Sequence, residues 1–151
     1  MGKASTGNYF EDLTTGLEIE HAVPRTLTEG DTSLYIALTA DRHPLHCDAK
    51  FARRLGFRRE TVNDLLVFHM VFGKSVPDVS LNAVANLGYA DVRFGVPVYP
   101  GDTLRARTTV LGRRESRTGD TGVVWVRTTG YNQRDEEVMA FDYKMMFHMR
   151  G

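Results

Sequence analysis

The feature of this sequence that most restricts its fold is an apolar run at residues 65–72, which precedes several valine-rich segments. The run reads Leu-Leu-Val-Phe-His-Met-Val-Phe, so a histidine is its only polar residue. A helix that is apolar on nearly every side has to be buried over most of its surface. Asn63 is a suitable N-cap residue for this helix, and Pro77 is expected to end it.

Four segments in the second half of the chain are rich in valine, threonine and aromatic residues, which favour β-strands. Turn sequences such as Pro100-Gly101-Asp102 separate them. We predict strands at Leu81–Val98, Thr103–Arg113, Val123–Asn132 and Val138–Met149. Strands joined by short turns form an antiparallel meander, so the predicted fold class is α+β, with a sheet that curls around the buried helix.

The first half of the chain indicates shorter elements. A strand is expected at Leu17–Arg25, and a helix that Thr28 caps is expected to run to about Ala40. Pro44 interrupts the helical pattern, and a second short helix follows it. We expect that helix to end at Gly56 and to turn its apolar residues inward, namely Phe51, Ala52 and Leu55.

Composition limits the kind of protein that this chain can be. No repeat or linker divides it, so residues 1–151 are expected to form one domain, with residues 1–12 as an N-terminal tail. Nineteen basic and nineteen acidic side chains balance, which indicates neither a nucleic-acid nor a membrane partner. No apolar run is long enough to span a membrane, and the start lacks the apolar core of a signal peptide. The lone cysteine, Cys47, fits a reducing compartment, so we expect a cytoplasmic protein.

The clearest candidates for acid–base catalysis lie in the stretch Asp41-Arg42-His43-Pro44-Leu45-His46. A carboxylate and an imidazole stand five residues apart here, with a proline between them that breaks the helix. Such a break can turn both groups toward the same space, and together they can move a proton to and from water. Taken alone, the two residues are also compatible with an ordinary turn and an ordinary helix start.

The same stretch resembles a known family. Residues 41–48 resemble the D-x-N-P-L-H-x-D signature of the MaoC-like dehydratases, which include the (R)-specific enoyl-CoA hydratases. Further matches follow in the family's order at residues 51–57, 62–66 and 93–104, so the resemblance covers most of the chain from Thr28 to about Leu111. Residues 66–90 are similar to the mesaconyl-CoA hydratase (β-methylmalyl-CoA dehydratase) branch, whose members are often two fused repeats.

The resemblance implies a fold, an activity and an assembly. The fold is a single hot-dog domain, a long helix wrapped by a strongly bent antiparallel sheet. The implied activity is that of a hydro-lyase, which adds water to an enoyl-CoA thioester or removes it from the hydrated product. Coenzyme A belongs to the substrate, and no other cofactor and no metal is expected. The implied assembly is a homodimer or a higher oligomer, with the active-site cleft at or near the subunit interface.

The resemblance also assigns roles to residues. Asp41 and His46 would hold the water between them and share the proton transfers. The backbone N–H of Asp64, at the start of the central helix, would stabilise the enolate oxygen. Four further residues are candidates for binding the substrate, namely His43, Asn63, Arg93 and Phe94.

One departure from the family pattern bears on the substrate. The usual His-Gly pair at the start of the central helix is Asn63-Asp64 in this chain, so a carboxylate lies next to the predicted enolate site. A negative charge there is repulsive unless it points away or is protonated. This favours a specialised pocket over one for straight-chain enoyl groups, and a methyl-branched or dicarboxylyl acyl group is the alternative.

Other interpretations stay open from the sequence alone. A hot-dog thioesterase usually places a carboxylate on the central helix, and Asp64 fits that pattern. A non-catalytic acyl-CoA-binding subunit would share the fold as well. His69 is expected to be a hydrogen-bonded core residue, and Cys47 is expected to be unreactive. A group of arginines near the site is either a solvated basic face or a contact for coenzyme A phosphates, namely Arg53, Arg54, Arg58 and Arg59.

Overall fold

The protein, described by a computed structural model for residues 7–150, has one long helix packed on a curved antiparallel sheet. Residues 1–6 of the predicted tail lie outside the described residues. Four α-helices are present in this range: α1 (Glu29–Thr39), α2 (Pro44–Cys47), α3 (Ala49–Arg54) and α4 (Asp64–Ser75). The strands are β1 (Glu18–Glu20), β2 (Arg25–Thr26), β3 (Ala85–Phe94), β4 (Thr103–Glu115), β5 (Thr121–Tyr131) and β6 (Glu137–His148).

The sheet has the strand order β1-β4-β5-β6-β3, and β2 pairs separately with β4. Every strand pair is antiparallel, and in β5 buried residues alternate with partly exposed ones. The three long strands β4, β5 and β6 form the predicted meander, with ends within two residues of the predicted ones. The predicted α+β hot-dog architecture is therefore confirmed.

The central helix α4 packs one face against the middle of this sheet. Val67 and Val71 are buried, and the ring of Phe68 lies 4.7 Å from that of Phe141 on β6. Gly130 on β5 makes room for the helix, because a Cβ atom there would lie 2.5 Å from a methyl carbon of Val71. This contact seats the helix directly on the sheet.

The opposite face of α4 is open in this chain, which corrects two expectations. Leu65 is 57% exposed, so the helix is not buried on most sides. His69 is exposed as well, and its Nδ1 lies 2.8 Å from the backbone oxygen of Leu65. The prediction of a core histidine was therefore wrong, because apolar neighbours in sequence do not decide which side of the helix meets the sheet.

Some helix ends agree with the prediction from the sequence, and others differ from it. Thr28 caps α1 as predicted, since its hydroxyl accepts from the Asp31 N–H at 3.1 Å. The α-helical hydrogen bonding of α4 ends at Ser75, two residues before Pro77, and the chain continues as a π-helical segment at Val76–Ser80. Leu55 was expected to face inward but is 57% exposed, because α3 already ends at Arg54.

The N-terminal segment contributes to the core. Residues 7–12 fall in the predicted tail, yet Phe10 is only 2% exposed and lies in a short 3₁₀ helix. A Cβ atom on Gly122 would lie 2.4 Å from its ring, and Arg113 stacks on the ring at 5.1 Å. The tail assignment is wrong for these residues, because Phe10 packs on the sheet and Asn8 donates a hydrogen bond to the Asp78 oxygen at 2.6 Å.

One further property concerns membranes. Within residues 7–150, no helix combines the length and the apolar character that crossing a bilayer requires.

The packing of Phe10 generates a stability prediction. Replacing a buried phenylalanine with alanine typically costs about 3–5 kcal/mol, so Phe10→Ala should lower the free energy of unfolding by about that amount. Val23→Ala is the control, since Val23 is 73% exposed and a surface change of this kind usually stays within about 0.5 kcal/mol. Urea titrations of both variants measure the difference, and equal effects would show that residues 7–12 do not stabilise the core.

Candidate active site

The segment at residues 40–48 ends one helix and begins two others. Ala40 follows α1 in a left-handed conformation with φ 54°, which turns the chain away from the helix axis. Pro44 occupies the start of α2, where a missing N–H costs no helical hydrogen bond. The side chain of His43 caps this helix by accepting from the Leu45 N–H at 3.3 Å. A continuous helix is therefore excluded, and the loop can direct two side chains to one place.

Asp41 and His46 meet in this loop. The Asp41 Oδ2 lies 2.6 Å from the His46 Nδ1, and the two side chains are 11% and 13% exposed. The His43 backbone N–H also donates to Asp41, at 3.0 Å. With Asp41 ionised, the shared proton belongs on Nδ1, which leaves Nε2 of His46 free to accept a proton. The contact is direct, which differs from the expectation of a water between the two groups.

Asn63 connects this pair to the central helix. Its Nδ2 donates to Asp41 Oδ2 at 2.6 Å, while its Oδ1 accepts from the Leu65 N–H at 2.8 Å. One side chain therefore caps α4 and holds the carboxylate, so any shift of the helix end would move the pair. Sequence reasoning assigned Asn63 to capping and to substrate binding, but it did not identify the contact with Asp41.

These contacts determine the charge state of Asp41. Burial by itself raises the pKa of the carboxyl group, because it disfavours the charged form. Hydrogen bonds from Asn63, from the His43 backbone and from His46 outweigh that effect and leave the pKa below its ordinary value. Asp41 is therefore ionised at neutral pH, and it can both orient the imidazole and stabilise its protonated form.

Asp64 is the first residue of α4, and its backbone N–H finds no acceptor within residues 7–150. The residue lines a cavity of about 210 Å³, together with Phe94 and a set of mostly apolar residues. A free N–H at the start of a helix is a suitable donor for a developing negative charge. The carboxylate of Asp64 is solvent-exposed and makes no ion pair within the described range.

Two cavities flank α2. Leu45 lines the 210 Å³ cavity, whereas His46 and Cys47 line an adjacent one of about 440 Å³. An open hollow of about 770 Å³ lies elsewhere, against β3 and around Trp125. None of Asp41, His46 and Asp64 lines that hollow, so we place the candidate site at α2 despite its smaller volume.

The predicted site residues separate into two groups. The structure brings together Asp41, His46 and Asn63, and it places Asp64 and Phe94 around one cavity. Arg93 is exposed on β3 and lines neither of the two cavities beside α2, since neighbouring strand residues point to opposite faces. His43 is exposed and caps α2, so it organises the loop.

Sequence reasoning missed most of the cavity wall. Thr61, which precedes the central helix, forms part of this wall. The segment at residues 95–98 lies beside it and is held there by a hydrogen bond from the Val62 N–H to the Val98 oxygen at 2.8 Å. Val138 from β6 closes another side. The sequence gives one weak signal for Thr61, which is a polar residue directly before the apolar Val62, just ahead of the central helix.

The structure also describes the arginines and the cysteine near the site. Arg58 stacks on the Tyr99 ring at 4.4 Å, and Arg59 pairs with Glu29 and Glu60, so part of the basic group is engaged within the chain. Burial and the nearby Asp41 charge raise the pKa of the Cys47 thiol, which makes it a poor nucleophile. Within residues 7–150, no group of three or more potential ligands is arranged to hold a metal ion.

Comparison with known proteins identifies the family. Residues 11–132 match the MaoC like domain. The chain belongs to the MaoC-like family. It is 51% identical over 98% of its length to two curated MaoC-like relatives, the beta-methylmalyl-CoA dehydratase of Chloroflexus aurantiacus and the mesaconyl-CoA hydratase of Cereibacter sphaeroides. A crystal structure of a putative MaoC domain protein dehydratase from Chloroflexus aurantiacus superposes with a TM-score of 0.95 at 50% identity, over 100% of this chain.

The MaoC-like chain is much shorter than these relatives. It spans 42% and 43% of the two curated proteins and 43% of the chain in the crystal structure. The match therefore covers less than half of each longer protein.

The double role of Asn63 generates a prediction about pH. In Asn63→Ala the Asp41 carboxyl loses a hydrogen bond that lowers its pKa, so that pKa should rise. A lowered carboxyl pKa stabilises the fold above the unfolded-state pKa, and this contribution is lost as pH falls through the folded-state value. Acid unfolding of the variant should therefore begin at a higher pH. Carbon-detected NMR titration of Asp41 and acid titration by circular dichroism measure the two effects.

Thr28→Ala is the matched control for this experiment. It removes an N-cap from α1, which costs about 1 kcal/mol, but Thr28 does not contact Asp41. If both variants leave the Asp41 titration unchanged, the hydrogen bond from Asn63 does not determine the charge state of the carboxyl group.

Proposed function

We propose that this chain is an acyl-CoA hydratase/dehydratase unit, which adds water to an enoyl-CoA thioester or removes it from a 3-hydroxyacyl-CoA. The observation that carries the proposal is the contact chain from His46 through Asp41 to Asn63, which ends at the free N–H of Asp64. An acid–base pair and an enolate donor are thereby linked by one side chain. The names of the two relatives, a dehydratase and a hydratase of CoA thioesters, support the same chemistry.

The proposed hydration begins at His46. Its Nε2 accepts a proton from water as the water oxygen forms a bond to Cβ of the enoyl group. The electrons of the double bond shift onto the thioester oxygen, and the Asp64 N–H donates a hydrogen bond to the resulting enolate. The carbonyl re-forms as Cα takes a proton from the pair. Because one pair serves both carbons from one side, the addition is syn.

Asp41 supports these steps through charge. Its ionised carboxylate holds the imidazole by Nδ1 and stabilises the imidazolium that forms when His46 takes the proton. Removal of water follows the same path in reverse, so the pair serves both directions.

The assembly is part of the proposal. Apolar residues are exposed along the edge strand β3, among them Leu87, Tyr89 and Phe94. An exposed edge of this kind is normally covered, because its free backbone groups and apolar side chains promote pairing. We propose that a second copy of this chain covers it in a homodimer, with the cleft near the interface. Coenzyme A enters only as part of the substrate, and cytoplasmic operation remains our expectation.

A thioesterase is the second candidate function, and one observation favours it. The Asp64 carboxylate lies at the start of the central helix, is solvent-exposed and has no ion-pair partner within the described residues, so it is available as a general base for hydrolysis. Release of free thiol from an acyl-CoA, without hydration of an enoyl-CoA, would decide for this function. Absence of both activities in the purified chain would favour a non-catalytic acyl-CoA-binding subunit.

The first activity prediction concerns the acid–base pair. Asp41→Asn and His46→Ala should each lower kcat for hydration by about 10²–10⁴-fold, which is the usual contribution of general acid–base catalysis. The loss of enoyl absorbance at its ultraviolet maximum measures the rate. His69→Ala is the control, because this exposed histidine lies on the open face of α4. Near-normal turnover by His46→Ala would rule out the proposed mechanism.

The second activity prediction separates the backbone of Asp64 from its side chain. Asp64→Pro removes the N–H, and the helix tolerates it because proline suits the first helical position. Loss of one oxyanion donor typically costs about 10²–10³-fold in kcat. Asp64→Gly keeps the N–H and removes the carboxylate, so it should stay active as a hydratase. The opposite order of activities would favour a catalytic carboxylate and thus the thioesterase.

A further inference from the structure

The cavity below Asp64 contains a second polar group that the proposed reaction does not use. Thr61 lines the cavity and is 6% exposed as a residue. Its hydroxyl has no hydrogen-bond partner within residues 7–150, and its oxygen is not among the side-chain atoms sealed from solvent. Because Thr61 lines this cavity, we infer that its accessible hydroxyl faces the cavity space.

Thr61 is held rigidly in this position. Its backbone N–H donates to the Leu45 oxygen at 3.1 Å, which ties it to α2. The next residue donates to the Val98 oxygen at 2.8 Å, which ties the chain to the opposite wall. The backbone that carries this hydroxyl is therefore fixed before any ligand enters, so little backbone entropy is lost when the hydroxyl forms a hydrogen bond.

The rest of the cavity lining is mostly apolar and provides few hydrogen-bond partners for that hydroxyl. Apart from Thr61 and Asp64, the lining side chains are apolar, and no lysine, arginine or histidine contributes to the lining. A ligand that places an acceptor near this hydroxyl can therefore form a hydrogen bond with it.

The volume of the cavity suits a small group. About 210 Å³ is available beside Thr61 and Asp64, and a short acyl group fits in it.

We propose that Thr61 determines specificity by donating a hydrogen bond to an oxygen atom on a short acyl group. This inference rests on the proposed function and extends it to the substrate. The cavity presents two free donors, the Asp64 N–H and the Thr61 hydroxyl, and the thioester oxygen satisfies the first. A plain straight-chain enoyl group has no second oxygen, so it leaves Thr61 unpaired. A carboxyl or a hydroxyl group on the acyl chain supplies the second acceptor.

The test compares two variants on three substrates. Thr61→Val keeps the shape and removes the hydroxyl, and Thr61→Ser keeps the hydroxyl as the matched control. The substrates are crotonyl-CoA, which lacks the extra oxygen, mesaconyl-CoA, which has a carboxyl group, and 4-hydroxycrotonyl-CoA, which has a hydroxyl group. Thr61→Val should lose about 10- to 100-fold in kcat/KM on an oxygen-bearing substrate and stay within about twofold on crotonyl-CoA. Thr61→Ser should resemble the unchanged protein, and the substrate that suffers the larger loss identifies the acceptor.

Two outcomes overturn the inference while the proposed function stands. The first is an equal loss on all three substrates in Thr61→Val, and the second is no loss on either oxygen-bearing one. If the unchanged protein hydrates none of them, the proposed function fails, and the role of Thr61 is then decided by binding. Titration calorimetry with butyryl-CoA and methylsuccinyl-CoA should show Thr61→Val weakening only the second by about 10-fold or more. Equal affinities in that experiment would exclude Thr61 as the determinant.

Discussion

The seating of α4 on the long strands is the contact on which the rest of the structure depends. Val71 can approach β5 because Gly130 has no side chain, and the rings of Phe68 and Phe141 pack beside it. This packing removes apolar surface from water, and it sets the height and direction of the helix. The first residues of the helix are thereby placed at the edge of the sheet, where α2 and the segment at residues 95–98 form the cavity.

The geometry of the candidate site depends on where the sheet places α4. Asn63 caps α4 and also holds Asp41, so the position of the carboxylate follows from the position of the helix. The same carboxylate is kept ionised by hydrogen bonds that outweigh its burial, and it fixes the ring of His46. A rigid support of this kind suits proton transfer, which depends on distances of a few tenths of an ångström.

Different parts of the molecule were predictable to different degrees. Strands β4–β6 followed from their valine, threonine and aromatic content and from the turn sequences between them, since neighbours along the chain pair with each other in a meander. The Asp41–His46 pair was predictable because proline and spacing act locally. Phe10, His69 and Thr61 were not, since each depends on which surface folds against it from far along the chain. Phe10 packs against Gly122, whereas His69 is exposed on the face of α4 that points away from the sheet.

The sequence by itself determined the elements and the chemistry available to them. Local rules of propensity, capping and helix breaking act within a few residues, and they were sufficient for α1, α4, the long strands and the acid–base loop. Only the tertiary structure decided that β3 pairs with β6, that Asn63 reaches back 22 residues to Asp41, and that Thr61 faces a cavity. Such contacts arise from packing between distant segments, and no local pattern encodes the distance between two surfaces that meet only after folding.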